Sequence, residues 1–371
     1  MSGIDARIVK RLPAVRDTPP FELNAHIKAP NGISVLLGPS GAGKTLLLDC
    51  LGGFVRPDGG RILIEDELYY DAATNVHIPP ERRRCGYIFQ EHALFPHMTV
   101  RENLQFAASL VPSKARRSLN RHRLINELLE SFDLGDLAER RPPQLSGGQK
   151  QRAALARILV TEPRVLLLDE PSRALDARLR RAFWELLQSV GERLKAPVLL
   201  ISHDVEECFE MADFVAVIKS GGLLQAGTRA EVFAKPATVE VARLLGVYDI
   251  APAEVEALDP GENSSTLRAF GQEIDGPYLP GHLIGDKGFL CVRRSEMKVL
   301  ATPTQPVKNE RSARNQLSLR VNGWRPSAHG IRIQLENDFS VEVSESAFEE
   351  CRESERLVLQ IPRSAVAFTG K

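Results

Sequence analysis

The sequence predicts an α/β domain built on a largely parallel sheet, interrupted by a helical insertion and followed by a small all-β domain. Three observations carry this. Through roughly the first 245 residues, short runs rich in Val, Ile and Leu alternate with longer amphipathic stretches, the pattern of βαβ units. Within that part, residues 94–158 look mostly helical, with a loop at 141–148 that leads into a helix at about Lys150. From about Ile250 the texture changes to short alternating segments, at 316–321, 330–335 and 339–343, punctuated by Gly, Pro and Asn. The expected division is therefore 1–248 and 249–371, with the insertion over about 91–160.

Composition bounds the functions. Lys plus Arg and Asp plus Glu each number 48 in 371 residues, so no global field holds the chain on nucleic acid or an acidic membrane. Anion recognition must be local. With 43% hydrophobic and 26% charged residues, the chain can build ordinary packed cores. The longest apolar runs hold four or five residues, and the N-terminal segment lacks the apolar core of a signal peptide, so a cytoplasmic protein is expected. Cys50, Cys85, Cys208, Cys291 and Cys351 show no CxxC pairing and read as small buried apolar residues. The basic run 114–123 reads as a solvated helix face.

Taken in order, the first chemical element is a strand at 33–37, followed at once by Gly38-Pro39-Ser40-Gly41-Ala42-Gly43-Lys44-Thr45 and a helix-like Leu-rich segment. This is G-x-x-x-x-G-K-[ST] in a strand–loop–helix setting. Glycines let backbone N–H groups turn inward around phosphate oxygens, and the helix adds the positive end of its dipole. Lys44 supplies a charge for the β- and γ-phosphates of a nucleotide, and Thr45 a hydroxyl for Mg²⁺. A buried strand at 165–168 ends in Asp169-Glu170; Asp169 is placed to order the metal shell, and Glu170, beyond it, to act as general base on a water. A third strand, 198–201, ends in Ser202-His203-Asp204, and a fourth runs over 214–218.

Leu145-Ser146-Gly147-Gly148-Gln149, together with Gln90, Asp169-Glu170 and His203 in this order, makes residues 30–245 resemble the ATP-binding subunits of ABC transporters. The resemblance implies a P-loop NTPase fold with a RecA-like core and helical subdomain. It also implies that two copies sandwich two ATP molecules, with the 145–149 segment of one facing the γ-phosphate held by the other's Lys44. Gln90 then meets Mg²⁺ and the attacking water, His203 hydrogen-bonds the γ-phosphate, and Asp176 belongs to the loop that crosses the dimer. Phe95 and Met98 lie where family members receive a membrane permease, or they pack within the insertion. Two departures stand out: Arg173 occupies a position where the family has Ser, and no Phe, Tyr or Trp precedes Phe21 to stack on adenine, leaving Arg11, Leu12, Arg16 or no stack.

The stretch from Tyr69 to His97 is similar to the ATPase subunit of molybdate importers, a likeness shared with sulfate, iron and polyamine importers. Ser312-Ala313-Arg314-Asn315-Gln316-Leu317 matches the opening of the small molybdate-binding (Mop or TOBE-like, OB-like) β-modules, placing such a module at about 310–371. Ser312, Arg314 and Asn315 are the candidate oxyanion contacts, with Ser344 and Ser346 as further candidates; bracing of a dimer is the alternative role of this module. The implied partners are a second copy, a permease and, indirectly, an extracytoplasmic oxyanion-binding protein, with the chain peripheral on the cytoplasmic face of the inner membrane. A soluble, non-transport ABC ATPase is the other reading of the same cassette.

Overall fold

A computed structural model describes residues 3–14, 19–88, 94–110, 118–172, 175–300, 315–327 and 330–370. Gln90, Arg16, Arg173, Ser312 and Arg314 lie outside them. The chain divides into two compact units, Met1–Arg229 and Ala230–Lys371. The sequence reading sets its boundary about 20 residues later, at the start of the strand run.

The first unit is organised by an eleven-stranded sheet. One end of it comprises β3 (Gly32–Leu37), β7 (Cys85–Ile88), β8 (Val165–Asp169), β9 (Pro197–Ser202) and β10 (Phe214–Lys219). These run parallel in the spatial order β10-β3-β9-β8-β7. They are apolar at nearly every position because helices cover both faces; Val35, Leu36, Leu166, Leu167, Val198 and Leu199 are fully buried.

The other six strands of the sheet are β1 (Gly3–Leu12), β2 (Phe21–Pro30), β4 (Gly59–Ile64), β5 (Glu67–Asp71), β6 (Val76–His77) and β11 (Gly222–Thr228). Most of their pairings are antiparallel, so the sheet is less parallel than the alternation of runs suggests. The cause is visible in β1 and β2. Ile4, Ala6 and Ile8 face Ala29, Ile27 and Ala25 across the ladder and are buried, while the intervening residues are more exposed. That alternation suits a sheet with one face in water.

Helices α1 (Lys44–Gly52), α2 (Val100–Ser109), α3 (Ser118–Ser131), α4 (Gly147–Leu159), α5 (Ala177–Leu194) and α6 (Val205–Met211) complete this unit. The predicted helical insertion is α2 to α4. Helix α2 starts on a Thr99–Glu102 capping box, and the buried Asn103 side chain ties down the preceding turn through Phe95 N–H and the carbonyls of Phe95, Met98 and Thr99.

The second unit opens with two short helices, α7 (Arg229–Ala234) and α8 (Val239–Leu245), and is otherwise dominated by β-structure. One sheet has the order β14-β13-β12-β15-β21 and the other β16-β20-β17-β18-β19. Their strands are β12 (Tyr248–Asp259), β13 (Ser264–Ala269), β14 (Gln272–Pro277), β15 (Lys287–Arg293), β16 (Lys298–Leu300), β17 (Gln316–Ser327), β18 (Gly330–Leu335), β19 (Ser340–Val343), β20 (Arg356–Gln360) and β21 (Val366–Thr369), with α9 (Glu345–Cys351) before β20. Leu267, Leu290, Leu319, Phe339 and Leu359 pack into one core shared by both sheets. The final strand, β21, pairs with β15, so residues 316–360 form most of the second sheet while the chain end closes the first.

Candidate functional site

Three adjacent parallel strands, β3, β9 and β8, deliver the sequence-predicted residues at their carboxyl ends. That end of an α/β sheet is where loops diverge and leave room for a ligand. A cavity of about 480 Å³ lies there, lined by Ser40, Gly41, Ala42, Gly43, Lys44, Thr45, Leu46, Asp169 and Glu170, with Leu12 and Phe21.

The phosphate loop is shaped by two close approaches. At Gly38 a Cβ would lie 2.2 Å from the carbonyl oxygen of Ile218, so only glycine lets β3 hand over to the loop beside β10. Gly43 has a φ of 95° and a Cβ there would meet the Phe21 ring at 2.8 Å. Having no side chain, this N-cap leaves the first-turn N–H groups of α1 to face a ligand. Lys44 is buried and donates to the carbonyls of Gly38 at 2.7 Å and Pro39 at 2.9 Å. Burial lowers its pKa, against the pull of Glu170 and Asp169.

Asp169 ends β8 and takes a hydrogen bond from the Thr45 side chain. Burial raises its pKa, with Glu170 and Asp49 adding in the same sense and the Thr45 bond and Lys44 opposing. Asp49, on α1, is likewise raised by burial and accepts from the Tyr87 hydroxyl at 2.9 Å, linking the loop's helix to β7. Glu170 sits at φ 44°, a left-handed conformation that costs a non-glycine residue free energy and concentrates at functional sites. Its Oε1 lies 3.4 Å from Nδ1 of His203, whose side chain is 59% exposed.

The Leu145–Gln149 segment divides its labour. Leu145 is buried in the core, whereas Ser146 and Gly147 are exposed. Ser146 and Gln149 form a capping box, Gln149 N donating to Ser146 Oγ at 3.3 Å and Ser146 N to Gln149 Oε1 at 2.9 Å. Gly148 sits against Leu179 of α5. Asp176 caps α5 by accepting from Leu179 N at 2.9 Å. Phe95 is half-buried between the Phe106 ring, with centroids 5.0 Å apart, and the Arg157 guanidinium at 5.4 Å.

In the second unit, Asn315 is buried and both ends of its amide pair with the main chain of Asp275, at 2.7 and 2.9 Å. Ser344 caps α9, and its hydroxyl lies 3.0 Å from that of Ser346. Phe21 escapes the motif reading because it lies beyond the first twenty positions, yet the β1–β2 pairing brings it opposite Leu12, a sequence candidate, and both line the cavity. Arg11, by contrast, pairs with Glu22 at 3.5 Å.

A phosphate loop with a strand-end carboxylate pair and a neighbouring histidine defines a P-loop ATPase site. The ABC transporter family model matches residues 23–173. The chain is 37% identical over 239 residues to the molybdenum import ATP-binding protein ModC of Rhodospirillum rubrum, covering 64% of this chain and 63% of that protein, just under two thirds of its length. It is 41% identical over 271 residues to the spermidine/putrescine import ATP-binding protein PotA of Marinobacter nauticus, covering 72% and 69%. A dimeric ATP-binding cassette in a post-hydrolysis state with ADP and Pi superposes with a TM-score of 0.52 at 25% identity, over 61% of this chain and 98% of that one. The chain belongs to the ATP-binding proteins of ABC transporters, a family of ATP-hydrolysing transport ATPases.

Proposed function

We propose that this chain is the ATP-hydrolysing subunit of an ABC importer, working as two copies that enclose two ATP molecules and drive a separate permease from the cytoplasmic face of the inner membrane. The carrying observation is the convergence of Lys44, Thr45, Asp169, Glu170 and His203 at the ends of three neighbouring strands. Two features support the paired arrangement. Ser146 and Gly147 are exposed on the chain's own surface, available to a nucleotide held elsewhere. The similar cassette with ADP and Pi is itself dimeric.

In this reading Lys44 exchanges its loop carbonyls for the β- and γ-phosphates. Glu170 takes the proton of the attacking water, the γ-phosphoryl group passes to that water, and ADP leaves. His203 hydrogen-bonds the γ-phosphate beside Glu170. Leu12 and Phe21 offer the base an apolar surface. Thr45 and Asp169 are a paired hydroxyl and carboxylate at the cavity wall, hard oxygen donors of the kind Mg²⁺ takes. They would hold the ion together with Gln90, and magnesium when bound neutralises charge on the phosphates. Glu170→Gln should lower kcat by about 10³-fold while ATP binding persists. Turnover near wild type in that variant would remove the general-base assignment.

For cargo, molybdate or tungstate is the favoured reading, supported by the ModC relative and by the Ser312–Leu317 match to molybdate-binding modules. It makes the second unit a TOBE or Mop-like module and an extracytoplasmic oxyanion-binding protein the indirect partner. Sulfate or a polyamine is the second reading, supported by relatives of comparable identity, the sulfate/thiosulfate import ATP-binding protein CysA of Acinetobacter baylyi at 43% over 225 residues and PotA at 41% over 271. Titration calorimetry of the full chain with molybdate, tungstate and sulfate separates oxyanion sensing from dimer bracing: heat with molybdate that Ser312→Ala abolishes supports sensing, and no heat with any of the three supports bracing.

A further inference from the structure

Behind the proposed catalytic pair the chain buries another carboxylate. Glu207, on α6, is 3% exposed, and its two oxygens accept from two different serines, Ser172 and Ser202. Ser172 is two residues after Glu170, and Ser202 immediately precedes His203. Both serines are buried, at 5% and 2% exposure. Ser202 Oγ also accepts from Asp204 N at 2.9 Å, so the turn that carries His203 is closed on itself as well as on Glu207. A parallel tie runs outside: Arg180 of α5 donates to Asp204 at 2.8 Å and to the carbonyl of Leu175 at 3.4 Å.

Burying a carboxylate is costly unless its hydrogen bonds are satisfied, and an apolar residue with apolar neighbours would fill the same space at less cost. What the carboxylate adds is a side-chain joint just beyond the last main-chain pairing of β8 with β9, that of Asp169 with Ile201. Glu170 needs one, since its left-handed backbone persists only if its surroundings hold it. Glu170 and His203 line one small cavity of about 50 Å³ together with Ser172, Ser202 and Glu207, so the joint lies directly against the proposed catalytic pair.

We infer that Glu207 is a positioning residue for the hydrolytic step. By clamping Ser172 and Ser202 to one carboxylate, it fixes Glu170 and His203 at their 3.4 Å separation. The inference rests on the reading of Glu170 and His203 given above. It also gives Ser172 a function within the chain, next to the position where Arg173 replaces the family's serine.

Steady-state ATPase assays on the full chain test it. Glu207→Ala should lower kcat by about 30-fold with KM for ATP within about two-fold, because orientation and not nucleotide binding is lost. Glu207→Gln, which can accept from one serine and donate to the other, should recover turnover to within about three-fold of wild type. Ser172→Ala should lower kcat by about five-fold and add nothing on top of Glu207→Ala, as groups in one joint are non-additive. A wild-type kcat in Glu207→Ala, a Gln variant no better than Ala, or additive effects of Ser172 and Glu207 would overturn the inference. If Glu207→Ala does not fold, Ser172→Ala decides alone, and wild-type kcat there overturns it. Glu170→Gln serves as the reference: its failure to slow turnover sinks the general-base reading, whereas a silent Glu207→Ala beside an inactive Glu170→Gln sinks only the positioning role.

Discussion

Asp58 illustrates how a residue outside every motif reaches the nucleotide site. Its carboxylate accepts from Arg11 N at 2.7 Å and from the Lys10 ammonium at 2.9 Å, fastening the end of β1 just before Leu12. The Arg11 N–H bond, and then the Lys10 bond, hold its pKa below the ordinary 3.8. A depressed carboxylate pKa stabilises the fold above the unfolded value and loses that contribution as pH falls through the folded one. Asp58 is largely exposed, so solvent screening limits the contribution to about 0.5–1 kcal/mol. Asp58→Asn should therefore lower the melting temperature by about 1–3 °C at pH 7, and the difference should be lost as pH falls below the ordinary 3.8 and through the folded pKa. A gap that survives at low pH would show that charge is not the cause. Lys44, Thr45, Asp169 and Glu170 were legible because loop geometry fixes their spacing within a few residues of one strand end. Phe21, Glu207 and Asp58 were not, because register and packing bring them to their partners across 5 to 48 positions.

At the scale of elements, the sequence reading located β3, β8, β9 and β10 by their continuous apolar runs, and the helical insertion by its contrast with them. It missed the antiparallel hairpin β4–β5, since a short alternating segment leaves its pairing partner undetermined. It also could not say which of Arg82, Arg83 and Arg84 matters, as three consecutive arginines look alike. The fold distinguishes them. Arg83 is fully buried, donating through Nε to the Ile78 carbonyl and through Nη1 to those of Cys50 and Leu51 in the last turn of α1. A cation at that end complements the helix dipole and satisfies carbonyls the helix leaves unpaired. The helix that begins at Lys44 is thus pinned at its far end by the segment leading into β7. Arg83→Met should destabilise the first unit by about 2–4 kcal/mol, since it leaves the buried carbonyls of Cys50 and Leu51 and the half-buried one of Ile78 without their donors. Arg83→Lys should recover less than half of that, because one ammonium cannot reproduce the planar fork. Urea denaturation followed by tryptophan fluorescence measures both, and full recovery by lysine would reduce the effect to charge alone.

For the whole molecule, the balanced charge that argues against polyanion binding agrees with the proposed site, where phosphate would be met by backbone N–H groups, Lys44 and Thr45. The change of texture in the sequence marks the first β-run, whereas the contact boundary falls between Arg229 and Ala230, at the start of α7. Two separate cores make a thermodynamic prediction. One core surrounds the phosphate loop's helix, with Leu47, Leu48 and Leu51 fully buried; the other is the shared interior of the two C-terminal sheets. The proposed nucleotide site is built from residues of the first, so nucleotide should stabilise that unit by mass action, about 2.7 kcal/mol at a free concentration 100 times Kd. In the Glu170→Gln variant, where ATP turnover should be about 10³-fold slower, scanning calorimetry should resolve two transitions. Mg·ATP should move one of them upward by about 5–10 °C and leave the other in place. Deleting residues 362–371 removes β21 and uncovers β15, and should lower only the nucleotide-insensitive transition. A single transition that shifts as one with nucleotide would mean that the two cores unfold together, and that the C-terminal sheets are energetically part of the ATPase.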